Sequence, residues 1–303
     1  MEMDLVTVSE NLAKVVESAG RYVVSVQTHP RVPASGVYWQ NGVVVTAEHV
    51  LKGFTEAEIT APDGSKHKGT LAGKDESTGL AAFRFDGIEL PVPTLSNAEA
   101  WKPGNLTLTV GRSKRGATAS MGVISSIGGP WRTWRGGDVD RFVQLDYSLY
   151  PSSSGGAVVD AKGDLIGIAT QAFSRFGAVA IPASTVNRVL PSLLAAGYVA
   201  RGYLGVGLRA VPLPESMHAL MIEPGPTGVI VLSVEDGTPA HQAGICIGDI
   251  FVGFDNQPVR DSDDVQGMLG PGSVGRAIHV SLIRGGKRVE LEVQIGERKR
   301  EAE

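Results

Sequence analysis

The chain has 303 residues, enough for about two domains of ordinary size, each long enough to bury its own core. Charged residues make up 20% and hydrophobic ones 42%, a globular balance that excludes a disordered chain. The formal net charge of -4, from 28 basic and 32 acidic residues, lacks the basic surplus that nucleic-acid binding would call for.

The first residues, Met1-Glu2-Met3-Asp4, show neither a basic segment nor an apolar run of signal-peptide length, and no stretch is apolar enough to span a bilayer. As the sequence stands, a cytoplasmic location is expected. A chain that had shed its signal would read the same way, leaving a periplasmic or exported location as the alternative. Thr7-Val8-Ser9-Glu10 has the spacing of a helix capping box. Leu12, Val15, Val16 and Ala19 then recur at helical spacing, and Gly20 is placed to end the helix.

Beyond it the pattern changes to short apolar or β-branched runs at 22–26, 43–46, 81–85, 106–110, 142–145, 165–170 and 178–181. Turn residues such as Asn41-Gly42, Asp63-Gly64 and Lys162-Gly163 separate them, the signature of sandwiches or barrels. After Pro182, residues Val186, Val189, Leu190, Leu193 and Leu194 share one helical face, and Pro191 predicts a kink or a break into two helices. A boundary is expected near residue 200, giving domains over 1–200 and 201–298 and a charged tail over 299–303. In the second domain 229–234, 250–254, 278–283 and 289–293 read as strands. Thr238-Pro239-Ala240 and Asp261-Ser262-Asp263 read as helix starts, and Arg284-Gly285-Gly286-Lys287 as a hairpin turn.

The single cysteine, Cys246, rules out an intrachain disulfide, and its apolar run Gly244-Ile245-Cys246-Ile247 reads as buried. His29, His67, His218, His241 and His279 show no metal-ligand spacing, so neither metal nor other cofactor is expected. Trp131-Arg132-Thr133-Trp134-Arg135 reads as a loop.

Two segments can carry chemistry. In Val43-Val44-Val45-Thr46-Ala47-Glu48-His49 a strand runs straight into a histidine and can hold its imidazole rigidly. In Pro151-Ser152-Ser153-Ser154-Gly155-Gly156 a serine sits in a tight glycine-rich turn before an apolar strand. Such a turn can expose a hydroxyl and aim backbone N–H groups at one point, the two parts acyl transfer needs. A flexible Ser/Gly loop is the bland alternative.

Together these segments resemble the HtrA (Deg) serine proteases, through Thr46-Ala47-Glu48-His49, Ser152-Ser153-Ser154-Gly155-Gly156 and Asp146 before that turn. Ser35-Gly36-Val37, Gly163-Asp164-Leu165-Ile166-Gly167-Ile168, Ile181-Pro182 and Arg201-Gly202-Tyr203-Leu204-Gly205-Val206 extend the match over nearly the whole chain. The resemblance implies a mainly β fold: two six-stranded antiparallel β-barrels of chymotrypsin-like type, then an α+β PDZ domain. It implies His49 as general base, Ser154 as nucleophile, and the backbone N–H groups of Ser152 and Ser154 as oxyanion hole. The family usually has glycine where this chain has Ser152. The loop Tyr203-Leu204-Gly205-Val206 would cradle a peptide's terminal carboxylate, with Gly237 to Gly244 and Gly248-Asp249-Ile250 as the matching PDZ segments and 261–269 as the groove helix. Expected partners are unfolded polypeptides, peptide C-termini and two further copies in a homotrimer; nucleic acid and a membrane span are not expected.

One position departs from the family. Asp75-Glu76-Ser77-Thr78-Gly79-Leu80-Ala81 places Gly79 where the aspartate that orients the histidine belongs. Loss of that carboxylate from a complete triad costs about 10⁴-fold in rate. Three outcomes are open: a water orients His49, Asp75 or Glu76 folds in as a substitute, or the site is inactive and the chain binds peptides without cleaving them.

Overall fold

The computed structural model describes residues 4–29, 32–174 and 177–297. The expected tail over 299–303 and the His29 side chain lie outside the described residues. The chain divides into two compact units, Met1–Val199 and Ala200–Glu303.

The first unit opens with helix α1, Leu5–Gly20. Its N-cap is Asp4, whose carboxylate accepts the Val6 N–H (3.0 Å) and the Thr7 hydroxyl (2.8 Å), so the helix starts before the Thr7–Glu10 box. An aspartate free to take two early donors outcompetes a threonine already inside the first turn. At the other end the buried Arg112 guanidinium donates to the carbonyl of Gly20 (2.5 Å), an acceptor that the helix leaves open, and to that of Val23 (2.6 Å), where the next strand begins.

Six strands follow: β1 Val23–His29, β2 Val32–Gln40, β3 Val43–Ala47, β4 Glu56–Thr60, β5 Lys66–Asp75 and β6 Leu80–Arg84. They close into a barrel in the order β1-β2-β3-β6-β5-β4. All of β3 is buried, whereas β4 alternates exposed and buried side chains, with Ala57 and Ile59 facing in. Two longer strands, β7 Leu106–Ser113 and β8 Gly116–Ile127, begin the second half of the unit. A two-strand hairpin, β9 Trp131–Arg132 with β10 Asp138–Val139, comes next, so the stretch read as a loop is partly paired; Arg132 and Asp138 clamp it with an ion pair of 2.9 Å. Strands β11 Val143–Leu145, β12 Ala157–Asp160, β13 Leu165–Thr170 and β14 Val179–Pro182 complete a second barrel in the order β11-β14-β13-β12-β7-β8. Two closed six-stranded antiparallel barrels are therefore present, as the resemblance implied.

Helix α2, Ala183–Ala196, ends on Gly197 in the left-handed conformation (φ 82°) and carries Pro191 without breaking in two. Val186, Val189, Leu190 and Leu193 are all buried against the barrels, and that packing outweighs the roughly 3 kcal/mol penalty of an interior proline.

The second unit holds β15 Gly202–Tyr203, β16 Val206–Pro212, β17 Thr227–Val234, helix α3 Pro239–Gln242, β18 Ile250–Phe254, β19 Gln257–Pro258, helix α4 Ser262–Met268, β20 Ala277–Arg284, β21 Lys287–Gln294 and β22 Gly296–Glu297. Its sheet runs β16-β17-β18-β20-β21, with β19 paired to β18. The hairpin at Gly285-Gly286 takes positive φ at both glycines (55° and 76°), the requirement of a two-residue turn matched to strand twist. Asp261 caps α4 in a capping box with Asp264. Cys246 is exposed, contrary to its apolar neighbourhood. Its N–H is bonded to Asp249 (2.8 Å), and that turn sends only Ile245 into the core.

Candidate functional site

Strand β3 delivers His49 into a short 3-10 turn, Glu48–Val50. The serine turn lies against the end of the same strand. Gly155 has φ +81°, and a Cβ built on it would lie 2.1 Å from Thr46 Oγ1, 2.3 Å from the Ser35 carbonyl and 3.0 Å from Ala47 N. Only a glycine fits so close to neighbouring backbone in that conformation. The fold thus brings the segments of His49 and Ser154 together from opposite barrels.

Ser35, fully buried on β2, is the fastening point. Its N–H donates to the Ser154 carbonyl (2.9 Å) and its hydroxyl to the Ser152 carbonyl (2.5 Å). The hydroxyl also accepts the Arg112 N–H (2.8 Å), and the Ser35 carbonyl accepts the Thr46 hydroxyl (2.6 Å). One serine therefore ties the Ser154 turn to β3 and, through Arg112, to the end of α1. The sequence marked Ser35 only as part of a matching stretch, because a hydroxyl of this kind carries no spacing signal.

Pro151–Ser153 forms a 3-10 turn closed by the Ser153 N–H on the Tyr150 carbonyl (2.8 Å). Ser152 is not among the residues with positive φ. The turn thus has the form open to any residue, and the alternative with the Pro151–Ser152 peptide reversed would need φ near +80° at Ser152. Ser154 follows at the end of this turn and is buried.

Gly79 also sits at positive φ (+71°). Its carbonyl accepts the Glu48 N–H at 2.8 Å, which puts it beside the turn that holds His49. His49 Nδ1 is buried and has no hydrogen-bond partner among the described residues. Asp75 does not fill the gap. Its two carboxylate oxygens take the Ser77 hydroxyl (2.5 Å) and the Thr78 hydroxyl (2.7 Å), with the N–H groups of the same two residues alongside. Glu76 is turned to Lys74 (3.0 Å). The β9–β10 hairpin covers this segment through the Thr133 hydroxyl, which donates to the Ser77 carbonyl (2.6 Å).

Arg135, at the tip of that hairpin, lies over the Trp134 ring (4.7 Å to its centroid) and reaches Glu48 (3.3 Å). Burial, and then the Arg135 charge, hold His49 below the ordinary histidine range, so the imidazole favours its neutral form. Burial, and then Glu76, raise Glu48. The sequence picked out Arg135 within the Trp131–Arg135 loop and Glu48 within the Thr46–His49 strand end, but their pairing depends on the tertiary position of the hairpin.

In the second unit, Gly205 has φ +80°, and a Cβ there would come within 2.3 Å of Thr238. The carbonyls of Leu204 and Gly205 accept the N–H groups of Ala240 and Glu235, both at 2.9 Å, and the Tyr203 hydroxyl donates to Glu235. The loop from Tyr203 to Val206 is thereby held at the start of β16, whose one strand neighbour among the described residues is β17. Val206, Leu208, Met268 and Leu269 are only partly buried against the unit's core. Among the described residues no three of His, Cys, Asp or Glu gather to hold a metal, and no helix is long and apolar enough to cross a membrane.

Comparison with known proteins agrees with both units. A trypsin-like peptidase domain matches residues 34–168 and a PDZ domain matches residues 202–295. A chain described as the serine protease HhoA, from Synechocystis sp. (strain ATCC 27184 / PCC 6803 / Kazusa), is 30% identical over 268 residues, 84% of this chain and 68% of that one. A DegP-like periplasmic serine endoprotease of Pseudomonas savastanoi pv. phaseolicola is 32% identical over 265 residues, 84% of this chain and 54% of that one, so this chain spans about half of that relative. Among solved structures, the HtrA-type protease AlgW with a decapeptide superposes with a TM-score of 0.78 at 28% identity, covering 95% of this chain and 99% of that one. The serine endoprotease from Yersinia pestis gives 0.76 at 28% identity, covering 95% and 98%. With its two barrels, its serine and histidine turns and its C-terminal PDZ domain, the chain belongs to the HtrA family of serine proteases.

Proposed function

We propose that the chain is an endopeptidase acting on unfolded or damaged polypeptides, with Ser154 as nucleophile and His49 as general base, and with the PDZ unit capturing peptide C-termini. The observation that carries this reading is the seating of Gly155 under Thr46 and Ala47, which holds the serine turn against the histidine strand. In it, neutral His49 takes the Ser154 proton as the hydroxyl attacks a peptide carbonyl, then returns it to the leaving amine. The tetrahedral oxyanion is taken by the backbone N–H of Ser154, joined by that of Ser152 when the Pro151–Ser152 peptide turns over. A captured C-terminal segment adds as a strand beside β16, its carboxylate on the loop from Tyr203 to Val206 and its side chains toward Leu208 and α4. The DegP-like relatives are periplasmic by name, which supports an exported setting. The family resemblance adds a homotrimer.

The reading is tested by incubating the full chain with unfolded casein beside His49→Ala. Cleavage by the first alone supports it; no cleavage, or equal cleavage by both, rejects it. The unpartnered Nδ1 of His49 favours a second reading, a chain that holds peptides without cutting them, and intact casein retained by the native protein would be its sign.

Two further results are expected. The base must be neutral, and both burial and Arg135 disfavour the His49 cation. Activity therefore persists below the ordinary histidine midpoint of about 6.5. A profile of kcat/KM from pH 5 to 8 should show the acid limb below that value, and Arg135→Gln should move it up. Ser152→Gly should raise kcat with little change in KM, because the left-handed conformation costs a non-glycine residue about 1–2 kcal/mol, a factor of roughly 5–30.

A further inference from the structure

We propose that Phe173 stands in the place of the missing acid: its ring fills the space beside Gly79 and fixes His49 by packing, so that positions 79 and 173 work as a pair. The inference rests on the reading of His49 and Ser154 as the working groups.

A Cβ built on Gly79 would lie 2.7 Å from Phe173 Cε2 and 2.9 Å from Cζ, so the ring occupies the space that a side chain at position 79 would enter. Gly79 is joined to the histidine turn by its carbonyl, which holds the Glu48 N–H, and by the pairing of Leu80 with Ala47. The ring is held from behind by Trp131, edge to face at 6.0 Å, and Trp131 in turn meets Phe142 at 5.3 Å. Trp131 opens the hairpin whose Thr133 hydroxyl bonds the Ser77 carbonyl, two residues before Gly79. An aromatic wedge thus occupies the flank where a carboxylate attached at position 79 would have to pass.

A triad aspartate fixes the imidazole by a directed hydrogen bond and favours its cation. A packed ring can fix it only by shape, and it disfavours the cation by excluding water. The remaining groups do not restore a carboxylate to Nδ1. Asp75 is spent on Ser77 and Thr78, Glu48 is paired with Arg135, and Glu76 faces Lys74. The cation at Arg135 adds to the same bias toward neutral imidazole.

Gly79 therefore cannot be corrected alone. An aspartate there meets both the left-handed backbone and the ring, and reaches Nδ1 only once the ring is removed. The test uses the full chain and two readouts, the NMR titration of the His49 ring nitrogens and the cleavage of unfolded casein. Phe173→Leu, which keeps an apolar wedge, should leave the His49 midpoint low. Phe173→Ala should raise the midpoint toward that of a free imidazole as water enters, and lower kcat about tenfold at similar KM. Gly79→Asp should lower Tm and give no gain in kcat. Gly79→Asp with Phe173→Ala should lift the midpoint above that of a free imidazole and raise kcat at least tenfold over Gly79→Asp.

The proposal is overturned if Phe173→Ala leaves the midpoint and kcat unchanged, or if Gly79→Asp alone matches the double variant. If the double variant does not fold, the contrast of Phe173→Ala with Phe173→Leu decides. If the midpoints move as stated but no variant cleaves casein, the protease reading fails and the pairing of the two positions stands.

Discussion

Ser154→Ala is expected to lower cleavage of an unfolded substrate by only about 100-fold, far less than the same change in a protease with a full triad. Where all three groups are present, loss of the serine lowers kcat about 2 × 10⁶-fold and loss of the aspartate about 3 × 10⁴-fold. The ratio leaves about 10² for a serine–histidine pair that has already lost its acid, equal to roughly 2.7 kcal/mol of barrier. His49 Nδ1 has no partner among the described residues, as a serine–histidine pair without its acid would show. Steady-state kinetics on a fluorogenic unfolded substrate measures the drop. A loss near 10⁶ would mean that some other group supports the imidazole during turnover.

Gly155→Ala should be the most damaging small substitution in the first unit. Its Cβ would enter space held by the Thr46 hydroxyl and two backbone atoms, none of them the end of a flexible side chain. Left-handed strain of about 1–2 kcal/mol adds to about 1–3 kcal/mol for overpacking. The sum, about 2–5 kcal/mol, is a large part of the stability of an ordinary domain. The midpoint of urea unfolding should fall accordingly, and cleavage should vanish even under conditions where the unit stays folded, because Ser154 is displaced from His49. A variant with native midpoint and native activity would show that the turn is not seated as described.

The strands that the sequence revealed are those that carry a run of apolar or β-branched residues. Leu165–Thr170, apolar but for Thr170, and Ile250–Phe254 stand where those runs begin and end. Strands β4, β5 and β8 were not legible, because one side of each faces solvent and carries Lys, Glu, Ser or Thr. Pro191 was given more weight than it has, since the penalty of an interior proline is local while the packing of α2 is spread over six buried side chains. Of the candidate site, the two residues proposed to carry chemistry and the absent acid could be read from three short segments. What surrounds them could not. Ser35, Arg135 and Phe173 reach the site from 119, 19 and 19 residues away from Ser154 along the chain, and nothing in their local sequence says what each one touches there. The wedge of Phe173 on Gly79 has a sequence trace only in the glycine itself, which reads as a loss until the ring beside it is seen.

The central claim, that Ser154 is a nucleophile made usable by His49 without a carboxylate, is tested most directly by covalent capture. The full chain is treated with a fluorophosphonate and the adduct is located by peptide mass spectrometry. The account predicts a single modified serine, Ser154, with labelling reduced strongly in His49→Ala. Absence of the adduct from Ser154 in the folded native chain, or labelling indifferent to His49, would contradict it.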